Sequence, residues 1–316
     1  MKNYAVFLII IAAAVWFWLR PESKESVADR TGAISTVDAT PAELTVAPSP
    51  QVVPTPSPAA SMINEANPAE QPAKVTQATP VPTMGSAPPR PPPGSVSYHK
   101  MGRLIVVFGD VLYGSLKDDS APDTGYVRIN PVRQWLGPIP YHIAPDLVNP
   151  DRVKRAIDHF HEKTPVRFVP FTGQADAISF QKGEKDCHSY VGRIGGHQPI
   201  YLSPDCDGKE IIHEIMHALG FMHEHSRSDR DQFVRVLWDR VLPDKRSQFE
   251  IAPDELLTHS INRPFDYKSV MIYEPNFFGI NDGETTLEST TREKIEPSAG
   301  GLSAEDVERL YRLYPP

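Results

Sequence analysis

The string HEIMHALGFMH at residues 213–223 restricts this chain more than any other feature. His213 and His217 stand four apart, so on a helix they share one face a turn apart, and two imidazoles can reach one point. Glu214 follows the first histidine and leans toward the same point. On the other side Ile211, Ile212, Ile215 and Leu219 supply the apolar stripe that a core would cover. A helix continued past Leu219 would carry position 223 away. Gly220 can take the left-handed conformation that ends a helix and turns the chain back, which brings His223 toward the other two histidines. The spacing predicts a helix over 209–219, a stop at Gly220, and three converging imidazoles.

Three neutral histidines with one open position describe a catalytic zinc site and not a closed structural one. The extended spacing with its glycine is the metzincin pattern. One zinc ion per chain is expected on His213, His217 and His223. Zinc held this way brings the pKa of its water to about 7 and polarises a carbonyl. That water is the expected nucleophile, and Glu214 the general base that takes its proton and passes it to the leaving amine.

The site must sit in a core, and composition limits where that core lies. Of 33 prolines, 15 fall between positions 41 and 93, in a stretch that cannot pack. Residues 21–97 read as a Pro-rich disordered linker, a semi-rigid spacer in extended polyproline-type conformations. The remainder is long enough for one sizeable core. Before the linker, residues 4–19 are apolar without interruption, with Lys2 ahead and Arg20 behind. This suits a signal peptide or a signal anchor, cleaved or retained, over residues 1–20. The rest is then exported, either anchored on the non-cytoplasmic side or secreted, and membrane contact is confined to this segment. Export makes a bond between Cys187 and Cys206, the two cysteines, plausible; two separate thiols are the other possibility. A net charge of −8 without a basic stripe argues against nucleic acid as a partner.

Within the folded part, residues 104–113 (LIVVFGDVLY) read as strand with a bend at Gly109-Asp110. Residues 139–143, 166–169, 177–180 and 199–202 are further strands. Asn149-Pro150 opens a helix that carries Val153, Ile157 and Phe160 on one face and ends before Thr164-Pro165. Ser303 with Asp306 three residues on is a capping-box start for a last helix. The class is α+β.

Beyond the superfamily pattern, residues 213–231 read HEIMHALGFMHEHSRSDRD, with Glu224, Arg227, Asp229 and Arg230 after the third histidine. This resembles the astacin family of zinc metalloendopeptidases, over residues 126–316 as the catalytic domain. The resemblance implies a zincin-like fold: an N-terminal twisted mixed sheet with two main helices, an irregular C-terminal subdomain, and the active-site cleft between them. It implies that Met271, in Ser269-Val270-Met271-Ile272-Tyr273, is a structural floor under the metal. It also implies that Tyr273 is an exchangeable zinc ligand that donates to the developing oxyanion. The family has His where this chain has Ile272. Glu224 is implied to anchor a trimmed amino terminus, a simple surface ion pair or cap being the alternative. Cys187 and Cys206 match one of two family disulfides; the second pair is absent, which leaves the rigidity of the C-terminal half open. Phe108-Gly109-Asp110, in a propeptide-like segment over 98–125, resembles a family motif one residue longer whose aspartate occupies the open zinc position. The same residues also suit a turn at a strand end.

The implied partner is a protein or peptide substrate, laid antiparallel along an edge strand expected near residues 196–203. The competing reading is a tethered, non-catalytic zinc-containing binding module, and Glu214 and Tyr273 beside the histidines argue against it.

Overall fold

The chain divides into two units, Met1–Ser61 and Met62–Pro316. In this computed structural model the described residues are 86–116, 120–260 and 262–316, all in the second unit. The apolar segment expected to be a signal peptide or anchor lies outside them. Among the described residues no helix is long and apolar enough to cross a membrane.

Strands β1 (Ser95–Met101), β2 (Leu104–Val107), β3 (Val111–Ser115) and β4 (Thr124–Arg128) come first. Then follow β5 (Ile139–Ile143), α1 (Asp151–Lys163), β6 (Phe168–Pro170), β7 (Ala177–Lys182), β8 (His188–Tyr190), β9 (His197–Leu202) and α2 (Gly208–Ala218). The later part holds β10 (Val234–Val236), the 3₁₀ turn Pro243–Phe249, β11 (Leu287–Ser289) and α3 (Ala304–Leu313). Nine strands form one mixed sheet in the order β4-β1-β2-β3-β8-β9-β7-β5-β6. The fold is α+β, as the sequence predicts.

Helix α1 is held by an apolar stripe of Val153, Ala156, Ile157 and Phe160, all buried. It ends where Thr164 turns extended and its hydroxyl donates to the Phe160 carbonyl at 2.7 Å. Its start differs slightly from expectation: Asn149 has φ +53° and gives no side-chain cap, and Pro150 takes the cap position. Helix α2 opens with a capping box between Asp207 and Glu210. Both helices pack on the sheet with Ile139, Ile178, Phe180, Ile200 and Leu202 in one core, to which Val270, Met271 and Leu310 of the later half also belong.

The amino-terminal strands β1 to β4 pack Val96, Ile105, Val107, Phe108 and Val127 into a second apolar cluster that they share with Val191, Met222, Ala252, Leu256 and Leu257 of the later part of the chain. Strand β4 pairs with β1 over its whole length, so the expected boundary at 126 falls inside a paired strand. The sheet corrects the expected edge. Strand β9 is interior, between β7 and β8. The edge of the later sheet is β8, and β3 lies on it in parallel, with Val111 opposite Ser189 and Leu112 opposite Tyr190. Three residues carry too little alternation to mark β8 in a sequence.

After α2 the chain is mostly irregular, yet it has its own apolar cluster of Val234, Val241, Phe249, Phe265, Tyr267, Tyr273 and Leu287. Cys187 and Cys206 are joined in a disulfide, which ties the entry to β8 to the start of α2.

Candidate metal centre and active site

Helix α2 delivers His213, Glu214 and His217, and a two-hydrogen-bond C-cap delivers His223. The Gly220 N–H donates to the His217 carbonyl at 2.8 Å and the Phe221 N–H to the Met216 carbonyl at 3.0 Å. Gly220 has φ +108°, a conformation that favours glycine, and a Cβ there would crowd Val132 Cγ1 at 3.1 Å.

The three rings pack edge-to-face or tilted, with centroids 4.7, 5.1 and 4.8 Å apart. Asp110, from the turn between β2 and β3, joins them. Its carboxylate oxygens lie 3.4 Å from His213 Nε2, 3.3 Å from His217 Nε2 and 3.2 Å from His223 Nε2. One ligand atom from each of the four residues falls within 4.8 Å of the others.

The donor set fits a cation. His213 Nδ1 sits 2.8 Å from the Val270 carbonyl and His217 Nδ1 2.7 Å from that of Phe221. Those carbonyls can only accept, so Nδ1 carries the proton and Nε2 turns a lone pair inward. His217 Nε2 and Asp110 Oδ1 are buried without a hydrogen-bond partner among the described residues. Lone pairs and a carboxylate facing one point are satisfied by a divalent ion such as zinc.

Glu214 is 2% exposed and its Oε2 has no partner among the described residues. Burial, and then the nearby Asp110 and Glu210 carboxylates, push its pKa well above the ordinary glutamate value. Tyr273 is buried, and its hydroxyl donates to the Phe108 carbonyl at 3.1 Å. The turn Phe108-Gly109-Asp110 thus occupies the ring of histidines and the tyrosine hydroxyl together. Phe108 has φ +51° and Gly109 φ +102°.

Met271 is 1% exposed, in a turn locked from α3. Asp306 accepts from Ser269 Oγ at 2.6 Å and from the Val270 N–H at 2.9 Å, while it also closes the α3 capping box with Ser303. The Val270 carbonyl then orients His213. The capping box was legible in the sequence; its second use, as the clamp on this turn, was not.

Glu224 is fully buried and held by cations of this chain. It accepts from Arg227 Nη1 at 2.8 Å, from Arg309 at 2.6 and 2.9 Å, and from the Asp266 N–H at 2.9 Å. In this uncleaved chain those groups stand where the resemblance implied an amino terminus.

Two neighbours had no signal in the sequence. His225 is buried, stacks on His223 at 4.9 Å, lies 3.9 Å from the Tyr273 ring, and accepts the Tyr273 N–H at Nδ1. Gln248, 5% exposed, comes from the 3₁₀ turn Pro243–Phe249 and reaches the same spot.

Residues 127–315 match the family model described as Astacin (Peptidase family M12A). Zinc metalloproteinase nas-6 of Caenorhabditis elegans is 35% identical over 212 residues, covering 65% of this chain and 57% of that relative. Meprin A subunit alpha of Rattus norvegicus is 38% identical over 200 residues, covering 61% of this chain and 26% of its own length. The chain therefore spans just over half of the one relative and about a quarter of the other. Among solved structures, high choriolytic enzyme 1, a hatching enzyme zinc-protease from Oryzias latipes, superposes with a TM-score of 0.51 at 34% identity, covering 57% of this chain and 90% of that one. With a family model matched over more than half its length and the histidine cluster assembled, this chain belongs to the astacin family of peptidases.

Proposed function

We propose that the chain is a zinc-dependent endopeptidase that hydrolyses internal peptide bonds of extended polypeptides and is held latent by its own residues 98–125. The observation that carries this reading is the convergence of His213, His217 and His223 with Glu214 beside them and Asp110 among them.

His213, His217 and His223 would hold the ion. Zinc supplies the polarisation of the scissile carbonyl and the acidity of the attacking water. Glu214 takes the proton that the water loses and hands it to the leaving nitrogen as the C–N bond breaks. Tyr273 donates its hydroxyl to the carbonyl oxygen as charge develops there; in the latent chain that hydroxyl is engaged by Phe108. Met271 and Glu224 support the site from below, Met271 through its turn and Glu224 through the buried ion cluster.

Strand β8 offers a backbone edge for an extended substrate. In the latent chain β3 covers this edge in parallel, the reverse of the antiparallel direction expected of substrate. The Cys187–Cys206 disulfide supports an exported chain, anchored by or released from residues 1–20, with the Pro-rich stretch ahead of β1 as the spacer and the catalytic domain following β4; the expected boundaries at 97 and 126 both fall inside paired strands.

The test is casein hydrolysis by the full chain carrying Asp110→Ala. Activity at least tenfold above that of the unaltered, unprocessed chain is expected, and adding Glu214→Ala should remove it. If neither Asp110→Ala nor a chain cut near residue 125 cleaves casein while both keep zinc, the endopeptidase reading fails and the binding-module reading replaces it.

A further inference from the structure

Gln248 brings a side-chain amide into the centre of the site without a partner for its oxygen. It is 5% exposed, and Oε1 has no hydrogen-bond partner among the described residues. A buried acceptor left in this state costs free energy unless a donor arrives.

The neighbours of that oxygen identify the donor. A Cβ placed on Gly109 would lie 2.7 Å from Tyr273 Oη and 2.9 Å from Gln248 Oε1, so both groups face one short stretch of main chain. Tyr273 Oη is a donor there, and it already holds the Phe108 carbonyl at 3.1 Å. Gln248 Oε1 is an acceptor. A donor and an acceptor side by side match the C=O and N–H that a polypeptide backbone presents at adjacent positions. Tyr273 is held from two sides. Phe249, the residue after Gln248, packs edge-to-face on Tyr273 with centroids 5.6 Å apart, and His225 accepts the Tyr273 N–H.

We infer that Gln248 is a substrate-binding residue: its Oε1 accepts the backbone N–H of a substrate residue next to the carbonyl that Tyr273 holds. The inference rests on the endopeptidase reading and adds a specificity to it. The contact is blind to side chains but rejects a residue without an N–H, so proline or an N-methylated residue is disfavoured at that one position.

The test uses the full chain activated by limited proteolysis and a set of quenched peptides N-methylated at successive positions around the cut. It compares the unaltered chain with Gln248→Leu, which keeps similar bulk and removes the acceptor, and with Gln248→Met as a second, unbranched replacement. At one position N-methylation should lower kcat/KM of the unaltered chain by about tenfold, the weight of one hydrogen bond, and should cost the Leu and Met variants nothing. Equal penalties in all three chains at every position would overturn the assignment. So would loss of zinc or of the cooperative melt in both variants, which would make Gln248 a structural residue. Absence of any hydrolysis by the unaltered chain is a separate result, read without the variants, and would sink the endopeptidase reading itself.

Discussion

Glu224 and Arg309 make a buried ion pair with two hydrogen bonds, and Arg227 completes it on the other side. Glu224 is 0% exposed and Arg309 3%. Such a pair need not stabilise more than an apolar replacement of both members, but removing one member leaves a charge in the interior. Arg309→Met should therefore lower the stability of the chain by about 3 kcal/mol, seen as a shifted denaturant midpoint with an unchanged slope. This cluster links the segment after the third histidine to α3, and it gives the C-terminal half a fixed connection where the second family disulfide is absent. The convergence of His213, His217 and His223 was legible because helix spacing sets the first two and the glycine-ended turn at Gly220 sets the third. Arg309 and Gln248 were not, because their roles depend on contacts across 85 residues and across the β2–β3 turn, which no local pattern encodes.

Among the elements, β1–β4 dock through an apolar cluster shared with Val191, Met222, Ala252, Leu256 and Leu257, and one polar contact beside it titrates. Ser97 Oγ of β1 donates to Glu250 at 2.8 Å. Burial raises the Glu250 carboxyl from 4.5 to about 7, against the opposing pull of Ser97 and Arg230. The folded chain holds this proton more tightly than the unfolded one. Its contribution to stability is fully present below about pH 4.5 and is lost as pH rises through about 7. Glu250→Gln keeps the acceptor and removes the titration. The melting temperature of the variant should gain on that of the unaltered chain by several degrees between pH 5 and pH 8, measured by calorimetry; a constant gap would mean that Glu250 is not the titrating group. The helices α1, α2 and α3 and the strands β2, β3, β5, β7 and β9 were legible from apolar spacing and composition; β1, the longest strand, was not, and its first three residues fall in the stretch read as linker. Strand β8 was not, and the substrate edge was expected one strand too far into the sheet. A three-residue strand is defined by its partners, β9 on one side and β3 on the other, and not by its own sequence.

Across the molecule, one arrangement underlies both the proposed chemistry and the proposed latency. The helix carrying HExxH, the glycine-ended turn to His223 and the turn at 269–273 build a site, and the β2–β3 turn of the same chain fills it with Asp110 and the Phe108 carbonyl. The single glycine in that turn is required sterically, since a Cβ on Gly109 meets Tyr273 and Gln248 below 3.0 Å. Gly109→Ala should accordingly loosen the docked segment and raise the basal hydrolysis of the full chain severalfold, measured before any processing. If His213, His217 and His223 hold the zinc on which peptide hydrolysis depends, metal content and hydrolysis measured on one sample change together. The expected result is about one zinc per activated chain, loss of zinc and of casein cleavage together on chelation, return of both on adding zinc, and neither in His217→Ala. Cleavage that persists in the metal-free chain, or full zinc occupancy in His217→Ala, would contradict it.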